Sequence, residues 1–136
     1  MPYMSEETLF TKIIRGDIPS YKIYEDDTTY AFLDIHPVTP GHVLVVPKSP
    51  AQFVWDLSEQ DYSALMRTCQ IIAKRLRAIL DVPYVGEQIV GVDVPHAHVH
   101  VIPFSTTKEF RRVPDMNAEP DHDALETMAQ KLRIEE

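Results

Sequence analysis

Three histidines alternate with small or β-branched residues in the segment His96-Ala-His98-Val-His100-Val-Ile102. Residues two apart project from the same face of a β-strand, so the pattern predicts a strand with three imidazoles on one face and apolar side chains on the other. With a rise of about 3.3 Å per residue, neighbouring rings would begin about 6.6 Å apart. Three such rings on one patch suit phosphate binding and acid–base chemistry near neutral pH.

Three interpretations of the alternating histidines are open at this point. They are exposed or packed histidines without a chemical role, zinc ligands with His42 or a carboxylate completing the shell, or a nucleophile with its partners. No cysteine or carboxylate is interleaved with them, and Asp93 is the nearest acid, so a four-ligand structural zinc site is hard to assemble. We favour the nucleophile, because a neutral imidazole attacks phosphorus and a covalent intermediate divides one displacement into two. His98 has a histidine on either side and is the favoured residue.

Composition limits the class of protein. The 136 residues, 44% of them hydrophobic, predict one domain over residues 1–136, with a core at about 5–105 and a C-terminal extension and helix at 106–136. A net charge of −8 argues against a nucleic-acid partner. No apolar run is long enough for a membrane span, and the N-terminal residues do not resemble a signal peptide. A single cysteine, Cys69, lies on the apolar face of a predicted helix and fits a reducing compartment, so we expect a cytoplasmic protein.

Periodicity predicts the order helix, strands, long helix, strands, helix. Such an order indicates an α+β fold with a mostly antiparallel five-stranded sheet, one long helix, a short N-terminal helix and a C-terminal helix. Ser58 is the expected N-cap of the long helix, which should end before Pro83. The predicted strands are residues 22–25, 29–35, 42–47, 84–92 and 97–103, and the last helix begins near Asp121.

The chain resembles the histidine triad (HIT) family of nucleotide hydrolases, whose pattern is His-φ-His-φ-His-φ-φ. Residues 96–102 fill every position of that pattern. Four earlier blocks look like the N-terminal half of histidine triad nucleotide-binding proteins: Leu9-Phe-Thr-Lys-Ile-Ile-Arg-Gly-Asp-Ile-Pro19, Ile23-Tyr-Glu-Asp-Asp27, Ala31-Phe-Leu-Asp-Ile-His-Pro37 and Pro40-Gly-His-Val-Leu-Val-Val-Pro-Lys48. Together the resemblance covers roughly residues 8–104.

The resemblance implies roles for individual residues. His98 would be the nucleophile and form a nucleotidyl-histidine that water releases as nucleoside monophosphate. His100 would hydrogen-bond the phosphate, His96 would hold and tune the neighbouring ring, and His42 matches the family's fourth histidine. Asp34 would accept hydrogen bonds from the ribose, although it could also merely cap the turn before the next proline. The base pocket would be lined by residues that would be apolar in any core, namely Leu9, Phe10, Phe32, Ile35 and Leu44.

The sequence also departs from the family pattern. Many bacterial relatives carry Cys-x-x-Cys for a structural zinc where this chain has Thr8 and Thr11, so we predict no metal and no cofactor. Val92 stands where glutamine is usual, Asp93 where a hydroxyl often meets the leaving group, and Val85 near the usual position of a phosphate-contacting asparagine. Asp93 could still act near the leaving group. These replacements weaken inferences about the leaving group.

The leading functional hypothesis is hydrolysis of a P–N or P–O bond at the α-phosphate of a purine nucleotide, such as an adenosine phosphoramidate or a dinucleoside polyphosphate. The retained third histidine argues against the nucleotidyltransferase branch, and the Lys12-Ile-Ile-Arg15 block favours phosphoramidases. The alternatives are a nucleotide-binding module with weak or no turnover and a metal-dependent hydrolase. The resemblance further implies a homodimer.

Overall fold

The structure, a computed structural model, describes residues 7–135 and contains a five-stranded sheet with helices on both faces. The predicted α+β class and antiparallel sheet are confirmed. The first residues of the predicted core and the last residue of the chain lie outside the described range. In chain order the elements are α1 (Leu9–Arg15), β1 (Lys22–Glu25), β2 (Thr29–Leu33), β3 (Val43–Pro47), a 3-10 turn (Val54–Asp56), α2 (Glu59–Leu80), β4 (Tyr84–Gln88), β5 (Val99–Phe104), α3 (Thr107–Phe110) and α4 (His122–Leu132).

The sheet has the order β1-β2-β3-β5-β4, and every pair of neighbours is antiparallel. β2 and β3 are buried along their whole length because both faces of the sheet are covered. Alternate residues of β3 serve two cores: Val43 and Val45 pack with α2 and α4, whereas Leu44 and Val46 pack with α1. His100 of β5 is paired directly with Leu44, so its side chain lies on the α1 face of the sheet.

Helix α2 packs on the face of the sheet opposite to α1. The Ser58 side chain accepts a hydrogen bond from the Asp61 amide, which confirms the predicted N-cap. The buried face of α2 includes Leu65, Cys69 and Ile72, so the cysteine is part of the core, as predicted. Burial raises the pKa of the Cys69 thiol to about 12, which suits a packed side chain and not a nucleophile.

Three strands lose two or more residues at one end relative to the prediction, and β3 begins one residue later than predicted, at Val43. β2 ends at Leu33 because Asp34 starts a turn in which its Oδ1 accepts the His36 amide at 2.8 Å. β4 ends at Gln88, shortly before Gly91 turns the chain with φ 81°. β5 begins at Val99, since the Ala97 amide before it donates to the Ala51 carbonyl at 2.7 Å and not to β3.

Two short helical segments, the 3-10 turn and α3, lie in stretches where the sequence analysis placed no element. The sequence does carry a signal for the start of α3, because Thr106 and Glu109 form a capping box there. None of the helices in residues 7–135 combines the length and apolarity needed to cross a bilayer.

Candidate active site

The histidine segment enters β5 from a series of bends at residues 92–96, so its first two histidines precede the regular strand. The rings of His98 and His100 lie with their centroids 5.0 Å apart in an edge-to-face arrangement. Phe10 of α1 packs edge-on against His98, also at 5.0 Å. Phe10 also contacts the His96 ring, with centroids 6.0 Å apart, so all three histidine rings lie on the α1 side of the sheet.

The His96 ring is held by hydrogen bonds to β3 and to the start of α1. It is buried, and its Nε2 donates a hydrogen bond to the Pro47 carbonyl at 2.8 Å. Its Nδ1 must then accept, and the Thr8 hydroxyl donates to it at 3.1 Å. Burial lowers the pKa of His96, which favours the neutral ring. The His96 side chain thus anchors the segment to β3 and to the start of α1, and in this structure it does not hold the neighbouring imidazole.

The His96 backbone holds the neighbouring ring instead. The carbonyl oxygen of His96 accepts a hydrogen bond from Nδ1 of His98 at 2.7 Å. Because a carbonyl can only accept, Nδ1 of His98 carries the proton and Nε2 of the neutral ring keeps its lone pair. Within residues 7–135 no hydrogen bond is made by that Nε2.

A second chain of hydrogen bonds determines the orientation of His100. The Val38 amide donates to Nδ1 of His42 at 3.0 Å, so the proton of His42 is on Nε2. That Nε2 lies 3.0 Å from Nδ1 of His100, which must accept. Burial lowers the pKa of His42 to about 3 and that of His100 to about 4, so both rings are neutral near pH 7. His100 is left with an N–H at Nε2.

Asp34 lies beside this pair. Its Oδ2 is 3.7 Å from Nε2 of His42, its Oδ1 holds the His36 amide, and burial raises its pKa. Asp34, His42 and His100 each bring a potential ligand atom within 4.8 Å of the others, a spacing that a divalent ion could use. Both nitrogens of His42 are already hydrogen-bonded, so an ion would have to replace one of those bonds.

Two clefts meet at the His98–His100 pair. The first has a volume of about 380 Å³ and is mainly apolar. Every residue predicted from the sequence to contact substrate lines it: Leu9, Phe10, Phe32, Asp34, Ile35, Leu44 and Asp93. Its walls come from α1, from β2 and β3 and from the bends before β5. A planar base and its ribose match this shape and polarity.

The second cleft, of about 470 Å³, lies on the other side of the histidine pair. His42 lines only this cleft, whereas Asp34, Asp93, His98 and His100 line both. One wall is formed by the segment after α3, which the sequence analysis left as a C-terminal extension. The residues that sequence reasoning missed are His36, Arg111, Arg112 and Met116.

The residues that depart from the family pattern have distinct positions. Thr8 is the N-cap of α1, and the Thr8 and Thr11 hydroxyls both lie within 3.5 Å of Nδ1 of His96. Val92 is exposed at the rim of the second cleft, and Asp93 lies where the clefts join. Val85 pairs with Pro103 and packs against the core, away from both clefts.

Comparisons with known proteins agree with this geometry. The HIT domain family model matches residues 15–107. A purine nucleoside phosphoramidase of Escherichia coli K12 is 37% identical over 109 residues, covering 73% of this chain and 88% of the relative. An adenosine 5′-monophosphoramidase of Saccharomyces cerevisiae is 32% identical over 125 residues, covering 91% and 79%. A Hit-like protein from Bartonella henselae has a similar structure, with a TM-score of 0.82, 30% identity and coverage of 93% and 94%.

Proposed function

The chain belongs to the HIT domain family, and we propose that it hydrolyses a purine nucleoside phosphoramidate at the α-phosphate through a covalent intermediate on His98. Relatives named as phosphoramidases support the general activity of a nucleotide hydrolase. The proposal adds the nucleophile, the intermediate and the P–N bond as the bond that is cleaved. It also includes one HIT-like domain over residues 1–136, a homodimer and a cytoplasmic location.

One observation supports the nucleophile above all others. The hydrogen bond from Nδ1 of His98 to the His96 carbonyl keeps the lone pair of the neutral ring on Nε2, at the junction of the two clefts. A phosphorus placed there would have the base cleft on one side and the second cleft on the other. An uncharged nitrogen nucleophile also avoids repulsion by the anionic phosphate.

The first step forms a bond from Nε2 of His98 to the α-phosphorus and breaks the P–N bond to the leaving amine. The departing nitrogen takes up a proton from the surrounding water, and the Asp93 carboxylate, which lies where the clefts join, would accept a hydrogen bond from the resulting amine. Nδ1 of His100 accepts from Nε2 of His42 at 3.0 Å, which leaves the proton of His100 on its Nε2. That N–H would donate to a non-bridging phosphate oxygen. Asp34 would accept hydrogen bonds from the ribose.

The second step is attack by water on the nucleotidyl-histidine. The water oxygen bonds to phosphorus, the bond to Nε2 of His98 breaks, and the proton of the water is lost to solvent. The products are a nucleoside 5′-monophosphate and the neutral imidazole, ready for another cycle. The His96 carbonyl would hold the Nδ1 proton throughout and stabilise the positive charge that the phosphorylated ring carries.

The second cleft favours an amine over a phosphate chain as the leaving group. Its lining is rich in apolar residues, including Val90, Phe110 and Val113. Asp93 adds a carboxylate, and Arg112 already donates to main-chain carbonyls. A dinucleoside polyphosphate would place several negative charges beside Asp93. Arg111 would be the remaining cation in the lining of the second cleft to offset them.

The experiment is turnover of an adenosine 5′-phosphoramidate that carries a fluorescent amine, measured for the natural chain, His98→Ala and His122→Ala. His122 is a matched control, since it is an exposed histidine that contacts Tyr21 outside the clefts. We expect His98→Ala to lower kcat by a factor on the order of 10³ or more and His122→Ala to leave it unchanged. Peptide mass spectrometry of a quenched reaction should find the adenylyl adduct on His98, and an adduct on another residue would overturn the mechanism.

A metal-dependent hydrolase is the second candidate, favoured by the Asp34–His42–His100 spacing. Loss of activity on dialysis against a chelator, with recovery on addition of Zn²⁺, would replace our mechanism by that one. Binding of the nucleotide without release of amine, at equal affinity in the natural chain and His98→Ala, would instead indicate a binding module.

A further inference from the structure

The segment that follows α3 packs across the loop that carries Asp34 and His42. Arg112 donates from Nε to the Val38 carbonyl at 2.8 Å and from Nη2 to the Pro37 carbonyl at 2.8 Å, and Nη2 also donates to the Val38 carbonyl. Six residues further on, the Ala118 carbonyl accepts from Nε2 of His36 at 3.1 Å. The C-terminal extension therefore holds this loop at two points.

The peptide group between Pro37 and Val38, whose carbonyl accepts from Arg112, also takes part in the hydrogen-bond chain of the site. The amide of Val38 donates to Nδ1 of His42, and Nε2 of His42 donates to Nδ1 of His100. The Pro37 carbonyl belongs to the peptide group that contains the Val38 amide, so a guanidinium bonded to that carbonyl restrains the direction of the N–H. The planar fork of arginine, with fixed donor directions, is suited to gripping two successive carbonyls.

We infer that Arg112 is a positioning residue, which holds the Val38 amide against His42 and thereby keeps the N–H of His100 directed into the clefts. Without the Val38 donor, the Asp34 carboxylate, 3.7 Å from Nε2, is left as the weaker preference for a proton on that nitrogen of His42. His42 could then present a lone pair to His100, and the His100 proton would move to Nδ1, where it cannot reach the phosphate. Arg112 would act on the reaction without touching the reacting atoms.

This inference rests on the proposed function only for its kinetic readout. The natural chain, Arg112→Ala and Arg112→Lys are compared with Arg75→Ala. Arg75 is a matched control because it also donates to main-chain carbonyls, those of Lys131, Leu132 and Arg133, and lies outside both clefts. Each variant is labelled with ¹⁵N-histidine, and long-range ¹H–¹⁵N correlation spectra identify which ring nitrogen of His42 and His100 carries the proton.

We expect both rings of the natural chain and of Arg75→Ala to hold the proton on Nε2. Arg112→Ala should show a mixture of tautomers at His42 and His100, with kcat lowered by about tenfold or more and KM unchanged, because small losses of orientation are amplified in the rate. Arg112→Lys should recover part of both effects, since one ammonium can still reach a carbonyl.

Three results would overturn the inference. The first is an unchanged tautomer pattern in Arg112→Ala, and the second is a kcat equal to that of Arg75→Ala after correction for the folded fraction. The third is a change confined to KM, which would mean that Arg112 binds substrate itself. If the natural chain shows no turnover, the proposed function fails, and the tautomer pattern still decides the role of Arg112.

Discussion

Acid should destabilise this protein through histidines that are neutral in the folded state. Burial lowers the pKa of His42 to about 3, whereas the same ring in an unfolded chain titrates near ~6.5. Between about pH 5.5 and 4.5 the unfolded chain therefore binds a proton at this position and the folded chain does not. The free energy of unfolding falls by about 1.4 kcal/mol per pH unit for each such ring, and His100, with a pKa of about 4, contributes in the upper part of the same window. The lost stability is fully present above the unfolded pKa.

The Asp34 carboxylate, 3.7 Å from Nε2 of His42, opposes this effect by favouring a charged ring. It does not prevail, because a proton on Nδ1 of His42 would face the Val38 N–H that now donates to it. Urea unfolding at a series of pH values, for the natural chain and His42→Asn, isolates the contribution of this one ring. We expect the slope of stability against pH to be smaller in His42→Asn by about 1.4 kcal/mol per pH unit. Equal slopes in the natural chain and His42→Asn would refute the reasoning.

Two further substitutions test the substrate contact and the loop. Asp34→Asn should raise KM for the ribonucleoside substrate about tenfold, as expected for loss of a charged hydrogen bond, and leave KM for the 2′,3′-dideoxy analogue nearly unchanged; an equal loss on both would contradict a ribose contact. Gly41→Ala should lower the free energy of unfolding by about 2–4 kcal/mol, because the backbone is left-handed at φ 96° and the new Cβ would lie 2.6 Å from Cδ1 of Leu80. Gly16→Ala, at φ 90° with nothing within 4 Å of its Cβ, should show the backbone penalty alone in a thermal or urea melt.

Much of the fold could be predicted from local pattern. The N-cap at Ser58 and the apolar period of α2 predicted where that helix starts, and the β-branched run at 42–47 predicted a buried strand, which is observed at Val43–Pro47. The start of β5 could not be predicted this way, since it depends on a partner distant in sequence. The Ala97 amide donates to the Ala51 carbonyl, and no feature of residues 97–98 themselves signals that bond.

The candidate site was predictable as a set of residues and less so as an arrangement. Alternation of histidines indicated a shared face, and the structure brings His98 and His100 together on it. The His96 ring lies on the same side, against Phe10, but a strand argument cannot foresee that the chain bends before β5 or that Thr8 would hold this ring. Met116 lies between Pro114 and Pro120, a stretch without periodicity, and only tertiary packing brings it to both clefts.

The chemistry of the site depends on a contrast that no side-chain pattern encodes. His98 and His100 are the same residue type on alternate positions of one segment, yet their main-chain partners differ. His98 meets a carbonyl, that of His96, and so turns a lone pair toward the clefts. His100 is linked through His42 to an amide, that of Val38, and so turns an N–H toward them. Displacement at phosphorus needs one group of each kind, a nucleophile and a donor for the oxygens. Two imidazoles with identical partners would supply two nucleophiles or two donors, so the proposed mechanism requires the backbone atoms at residues 38 and 96 as well as the rings.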